Sequence, residues 1–131
     1  MMKRKGLGLV LCGLSLNALA QTQTELNQSA CKELKQADKE LNQIYQQVLA
    51  YHQEDKTFIN HFKDAQRKWV AFRDAYTDSM YIPEYYQNYG SVMPMCQCYF
   101  LEQVTKERLK QLRAWVDGVE EGDACVGSTA D

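Results

Sequence analysis

The stretch QRKWVAFRDAY, residues 66–76, determines how the rest of this 131-residue chain has to fold. Apolar residues recur in and before it at spacings of four and three, at Phe58, Phe62, Ala65, Trp69, Phe72 and Tyr76. This spacing predicts a helix with one aromatic face. Because burying a large ring contributes roughly 1.5–3 kcal/mol, we expect the other helices to pack on this face, with Trp69 at the centre of the bundle. Gln66, Arg73 and Asp74 border it as candidate hydrogen-bonding groups.

Two further amphipathic helices flank the aromatic one. Thr22 and Glu25 form a capping-box pattern, and apolar residues at spacings of four and three follow them. After a turn at residues 52–56, the aromatic helix is expected at about 57–80 and a third helix at about 95–116. The predicted fold class is therefore all-α, a small antiparallel bundle of three main helices.

A tyrosine-rich loop, residues 81–95, joins the second and third helices. Two prolines and a glycine interrupt the helical periodicity there. The rings of the loop either cap the open end of the bundle or form a partner-binding surface, since tyrosine and methionine are enriched at interfaces. The candidate partner-binding residues are Tyr81, Glu84, Tyr85, Tyr86 and Tyr89.

The first twenty residues predict a secretory signal peptide. Basic residues 3–5 precede an apolar run at 6–16, and Ala-Leu-Ala at 18–20 is a cleavage pattern. The run is shorter than the ~20 residues that span a bilayer. A lipoprotein anchor at Cys12 is disfavoured because a bulky leucine precedes it. We expect a single domain over 21–131, periplasmic or secreted, without membrane insertion after cleavage.

The charge of the chain favours a cationic partner. The predicted leader holds three of the 15 basic residues and none of the 17 acidic ones, which leaves 12 against 17 and a net charge of −5. That sign argues against nucleic acid and favours a cationic protein, by electrostatic steering. From Asp117 onward the chain has acidic but no basic residues, so we expect an irregular acidic C-terminal tail.

Four cysteines follow the predicted leader, Cys31, Cys96, Cys98 and Cys125. In an oxidising compartment they predict two disulfides, and their spacing is not typical of zinc sites. In an up-down-up bundle the first and third helices start at the same end, so Cys31 should pair with Cys96 or Cys98. We favour Cys31 with Cys98 and Cys96 with Cys125 over the swapped pairing. Either arrangement would draw the acidic tail back towards the tyrosine-rich loop.

No pattern of residues indicates an enzyme, and we predict no catalytic residues, no metal site and no cofactor. His52, Glu54, Asp55 and His61 lie around the first turn, but no spacing places two of them on one helical face. Polar groups could instead meet between the helices as a structural network. Its candidate members are Asp38, Asn42, Gln66, Trp69, Arg73, Asp74, Thr105 and Arg108.

Five segments occur in order along the chain: TxxELN from Thr22, ADKELNxxY from Ala37, QRxWxxFRDA from Gln66, GS at Gly90 and TxxRxxxL from Thr105. Together they resemble the LprI-like lysozyme-inhibitor family. The resemblance implies a small exported all-helical domain and, in the member that gave the family its name, inhibition of lysozyme. Family members usually carry a cysteine pair where this chain has Thr77 and Phe100.

The leading hypothesis is an exported, non-catalytic binding protein that inhibits a cationic, lysozyme-like cell-wall hydrolase by occluding its cleft. The alternative is a periplasmic structural, interaction or immunity-like module with another envelope partner. Both a monomer and a homo-oligomer are compatible with the sequence.

Overall fold

The computed structural model describes residues 21–130, which form an up-down-up bundle of three α-helices. Helix α1 spans Gln23–Tyr51, α2 spans Lys56–Met80 and α3 spans Met93–Asp117. A 3-10 helix at Pro83–Asn88 lies in the tyrosine-rich loop, and a 3-10 turn at Gly127–Thr129 follows α3. The all-α prediction is confirmed. The predicted signal peptide falls outside the described residues, among which no helix is long and apolar enough to cross a membrane.

Local sequence signals account for the starts of the helices. The Thr22 hydroxyl accepts a hydrogen bond from the backbone N–H three residues on, at 3.2 Å, and the Asp55 carboxylate caps α2 in the same way at 2.9 Å. Helix α3 starts at Met93, two residues earlier than expected. Pro94 occupies its first turn, where a missing N–H breaks no helical hydrogen bond.

Helices α1 and α3 form the closest pair, and α2 contacts them mainly through large side chains. Small buried residues such as Ala30 and Ala37 allow α1 to approach its neighbour. All three helices contribute to the core, which consists of Leu41, Ile44, Val48, Phe62, Leu109 and Leu112. The core therefore lies in the half of the bundle that contains the turn between α1 and α2.

The structure confirms the predicted aromatic face in the first half of α2 and corrects it in the second half. Phe62 is buried, whereas Trp69 is only partly buried beside the core and does not lie at its centre. Ala65, Phe72 and Tyr76 are exposed. Spacings of four and three repeat every 3.5 residues while a helix turns every 3.6, so the pattern drifts by about 20° per heptad. Over the two heptads from Phe62 to Tyr76 this drift is about 40°, so coverage by the neighbouring helices accounts for most of the difference in exposure.

One of the two predicted disulfides is present. Cys31 and Cys98 join α1 to α3, with their Cα atoms 5.0 Å apart, which confirms the favoured pairing for these two. Cys96 and Cys125 are both free thiols, so the predicted bridge between them is wrong. Cys96 lies in the first turn of α3, and Cys125 lies beyond its last turn.

The acidic tail stays at the far end of α3 and does not return to the tyrosine-rich loop as expected. The Trp115 indole Nε1 donates a hydrogen bond to the Ser128 hydroxyl at 3.0 Å, which holds the tail beside the last turns of α3. Reaching Cys96 would require a nearly extended chain, and ordering such a chain costs conformational entropy that few contacts would offset. The nearby contact with Trp115 therefore prevails.

Candidate functional site

A continuous series of aromatic contacts runs from α2 across α3 into the tyrosine-rich loop. Neighbouring ring centroids are 4.9 to 6.5 Å apart, within the range of favourable aromatic pairs. We call this set the open aromatic cluster; its members in order of contact are Phe72, Tyr76, Phe100, Tyr81, Tyr89 and Tyr86. The cluster connects three separate segments of the chain, so it fixes the loop against the helices.

Hydrogen bonds to two tyrosine hydroxyls order the loop further. The Tyr89 hydroxyl accepts a bond from the backbone N–H of Ile82 at 3.1 Å, and Gln97 donates to the Tyr86 hydroxyl at 3.0 Å. An asparagine side chain of α1 also donates to the carbonyl of Ser91 at 3.1 Å. The loop is therefore an ordered element of the bundle: its start is bonded to its own Tyr89, and its middle and end are bonded to α3 and α1.

The structure divides the predicted partner-binding residues into two groups. Tyr81, Tyr86 and Tyr89 are partly buried members of the open aromatic cluster. Burial raises the pKa of the Tyr81 hydroxyl, and the nearby Cys96 and Tyr89 raise it further, so this phenol stays neutral at physiological pH. Tyr85 is 53% exposed and Glu84 is also exposed. Glu84 and Tyr85 are therefore exposed next to the partly buried rings of Tyr81, Tyr86 and Tyr89.

Two arginines of the predicted polar network face the Trp69 ring. The guanidinium carbon of Arg73 lies 5.4 Å from the ring centroid, and that of Arg108 lies 6.0 Å from it, both within the range of cation–π contacts. Arg73 also pairs with Asp74 at 3.0 Å and with Asp38 of α1 at 3.8 Å. Arg73 thus links α2 to α1 beside a half-covered tryptophan.

Arg108, the second arginine of the predicted network, contacts two side-chain amides. Its Nε donates to the Gln66 side chain and its Nη1 to the Gln111 side chain, both at 3.0 Å. Burial without a carboxylate partner lowers the pKa of the Arg108 guanidinium. Asp38 and Asp74 pair with Arg73 instead.

The remaining network candidates do not join these contacts. Asn42 is exposed on α1, and the Thr105 hydroxyl is fully buried without a hydrogen-bond partner. The polar group around the first turn also has a structural role: the His52 ring packs on Phe58 at a centroid distance of 4.1 Å, and Asp55 caps α2. Among residues 21–130, no three His, Cys, Asp or Glu side chains are placed to hold a metal ion.

Comparison with known proteins links this arrangement to one family. Residues 16–112 match the family described as lysozyme inhibitor LprI. An uncharacterized protein of Rhizobium meliloti (strain 1021) is 29% identical over 112 residues, which cover 77% of this chain and 78% of the relative. No solved structure matches the chain. The family match spans α1, α2, the tyrosine-rich loop and most of α3, and the acidic tail lies beyond it.

Proposed function

Because the chain belongs to the LprI lysozyme-inhibitor family, we propose that it is an exported, non-catalytic protein that binds and inhibits a lysozyme-type cell-wall hydrolase. The family match over residues 16–112 is the observation that carries this proposal. The match includes the whole tyrosine-rich loop and excludes the acidic tail, so the loop is the better candidate for the inhibitory element.

Inhibition of such an enzyme requires only that its cleft be filled. Glycosidases of this kind hold the scissile bond of a sugar polymer in a cleft, between two carboxyl groups of the enzyme. In our proposal the 3-10 turn carrying Glu84 and Tyr85 enters the cleft, and Glu84 meets the basic rim of the enzyme. The partly buried Tyr81, Tyr86 and Tyr89 support this turn from behind. A preformed protrusion loses little entropy on binding, which favours tight occlusion.

Net charge supports the choice of a cationic target. Without the predicted leader the chain has 12 basic and 17 acidic residues, a net charge of −5. A negative protein is drawn to a positive enzyme over distances set by the ionic strength, so association should be fast at low salt and slower at high salt. Export by the predicted signal peptide would bring the two proteins into the same compartment.

A turbidity assay tests the proposal. Purified residues 21–131 at micromolar concentration should slow the clearing of bacterial cell walls by lysozyme at low salt. Tyr85→Ala should weaken this effect, because it removes the exposed ring of the turn. Tyr51→Ala is the matched control, since Tyr51 is 65% exposed at the opposite end of the bundle. Absence of any slowing by the wild type contradicts the inhibitor function, and full activity of Tyr85→Ala contradicts the role of the turn.

A second candidate function is an interaction or immunity-like module for another envelope protein. The exposed part of the open aromatic cluster motivates it, because such a surface suits any apolar partner. Light scattering after size-exclusion chromatography, with pull-down from periplasmic extract, separates the two candidates. A monomer that captures lysozyme alone would rule out this module.

A further inference from the structure

Helix α2 carries an exposed apolar stripe that the proposed cleft-filling turn does not use. Phe72, Tyr76 and Met80 follow one another at intervals of four residues, so they lie on one face of the helix. Their exposed fractions are 57%, 41% and 48%. Single exposed apolar residues are ordinary, whereas a contiguous patch marks an interaction site. We call these three residues the α2 stripe.

Two of the three residues of the α2 stripe are fixed by aromatic contacts. The Phe72 ring stacks on the Tyr76 ring at 5.4 Å, and Tyr76 meets the edge of Phe100 of α3 at 4.9 Å. On the inner side of α2, Thr77 is buried and its hydroxyl donates to the carbonyl of Arg73 at 2.8 Å. A partner that docks on the stripe would therefore pay little for ordering it.

The charge of the surrounding chain indicates which partner fits. From residue 74 to residue 105 there is no Lys, Arg or His, while Asp74, Asp78, Glu84 and Glu102 all lie in this segment. Arg73 pairs with Asp74 and Lys106 pairs with Glu102, which leaves Asp78 and Glu84 as the acids of this segment whose charge no described ion pair offsets. A second copy of the chain would bring like charges together, whereas a cationic protein is complementary.

We infer that the α2 stripe is the docking surface for a cationic protein that presents an apolar patch surrounded by basic residues. The inference rests on the proposed function and extends it: the stripe binds the hydrolase beside its cleft, and the turn at residues 83–88 reaches into the cleft. The ring contacts of the open aromatic cluster connect the two parts, from Phe72 to Tyr86. The stripe would supply the apolar contact area, and the turn would supply the inhibition.

Affinity measurements test the stripe separately from inhibition. The wild-type residues 21–131 are titrated by calorimetry against lysozyme, a cationic cell-wall amidase and cytochrome c. The double variant Phe72→Ser/Met80→Ser should raise the Kd of the bound protein by about 30-fold, as expected for loss of a central apolar contact. Tyr76 is left unchanged because its ring also packs on Phe100. Tyr51→Ser is the control and should keep the wild-type Kd.

A pair of single variants tests the charge of the partner. This test remains valid even when the double variant does not fold. Met80→Lys and Met80→Glu remove the same exposed apolar side chain and differ in sign. Binding to a cationic protein should fall further with Met80→Lys, and the difference should shrink in high salt. Equal effects of the two variants overturn the cationic partner.

The outcomes distinguish this inference from the proposed function. If the wild-type protein binds the amidase through the stripe but does not slow lysozyme, the docking surface is supported and lysozyme is overturned as the target. A Kd that the double variant leaves unchanged overturns the docking surface, and so does wild type that binds none of the three proteins. If the wild-type protein is a dimer and Phe72→Ser is a monomer, the stripe binds a second copy of the chain, which overturns the inference.

Discussion

The two ends of the bundle contain similar sets of rings, most of them partly buried, and differ most in one ring each. At the end with the first turn, Tyr45, Phe58 and Trp115 surround Phe62 with centroids 5.2 to 5.5 Å away. We call these four the buried aromatic cluster. Phe62 is only 5% exposed, whereas Phe72 of the open aromatic cluster is 57% exposed. Ring spacing is alike in the two clusters, so contact between rings does not by itself create a core.

The difference lies in what the neighbouring helices provide. The buried cluster packs against large aliphatic residues of α1 and α3, among them Leu41, Val48 and Leu112. Toward the open end, the buried residues of α1 are the small Ala30 and Ala37, and Cys31 is disulfide-bonded. The open end is held by a covalent bond and by hydrogen bonds to phenol groups, and its rings stay available to a partner. In our proposal, stability and recognition thus belong to different ends.

The comparison is tested most strongly by truncating one ring from each cluster. Phe62→Ala should lower the free energy of unfolding by about 3–5 kcal/mol, because it leaves a cavity among buried residues. Phe72→Ala should change it by less than about 1 kcal/mol, because that ring is largely exposed. Urea unfolding of both variants measures the difference. Similar losses of unfolding free energy in the two variants would show that both ends contribute equally to the core.

Removing the disulfide should have the next largest effect. Cys31 and Cys98 are separated by 67 residues, and releasing a loop of that size from the unfolded chain destabilises the fold by about 4 kcal/mol in the chain-entropy treatment. The double variant Cys31→Ser/Cys98→Ser is measured by urea unfolding. Cys96→Ser, which changes a free thiol, is the control and should stay within about 0.5 kcal/mol of the wild type. Hydrogen exchange should increase first at the open end; uniform exchange would contradict its dependence on this bond.

The smallest expected effect concerns the hydrogen bonds that order the loop. Tyr89→Phe removes the acceptor for the Ile82 N–H and should destabilise the protein by about 1 kcal/mol. Exchange of the Ile82 amide should accelerate, which can be followed by NMR. Tyr85→Phe is the matched control, since the ring of Tyr85 is largely exposed. An unchanged Ile82 amide in the first variant would show that ring packing alone orders the loop.

Much of the fold could be predicted because its signals are local. Thr22 and Asp55 cap the helices that follow them, and the apolar spacing of α1 places Leu41, Ile44 and Val48 in the core. That Cys31 pairs with Cys96 or Cys98 follows from two helices that start at the same end, and the structure selects Cys98. Caps, periodicity and register each depend on a few residues or one helix length, so short stretches of sequence are sufficient to specify them.

Only the tertiary structure decided which rings are covered, which cysteines stay free and which acceptors each arginine finds. The apolar series that placed Phe62 inside also included Phe72, yet Phe62 is 5% exposed and Phe72 is 57% exposed, because the neighbouring helices cover only the first ring. Arg108 donates to Gln66 and Gln111, whereas Asp38 and Asp74 pair with Arg73. Coverage depends on side chains from other helices that are distant in sequence, so the pattern of one segment cannot specify it. The exposed surface that we assign to a partner is a product of that coverage.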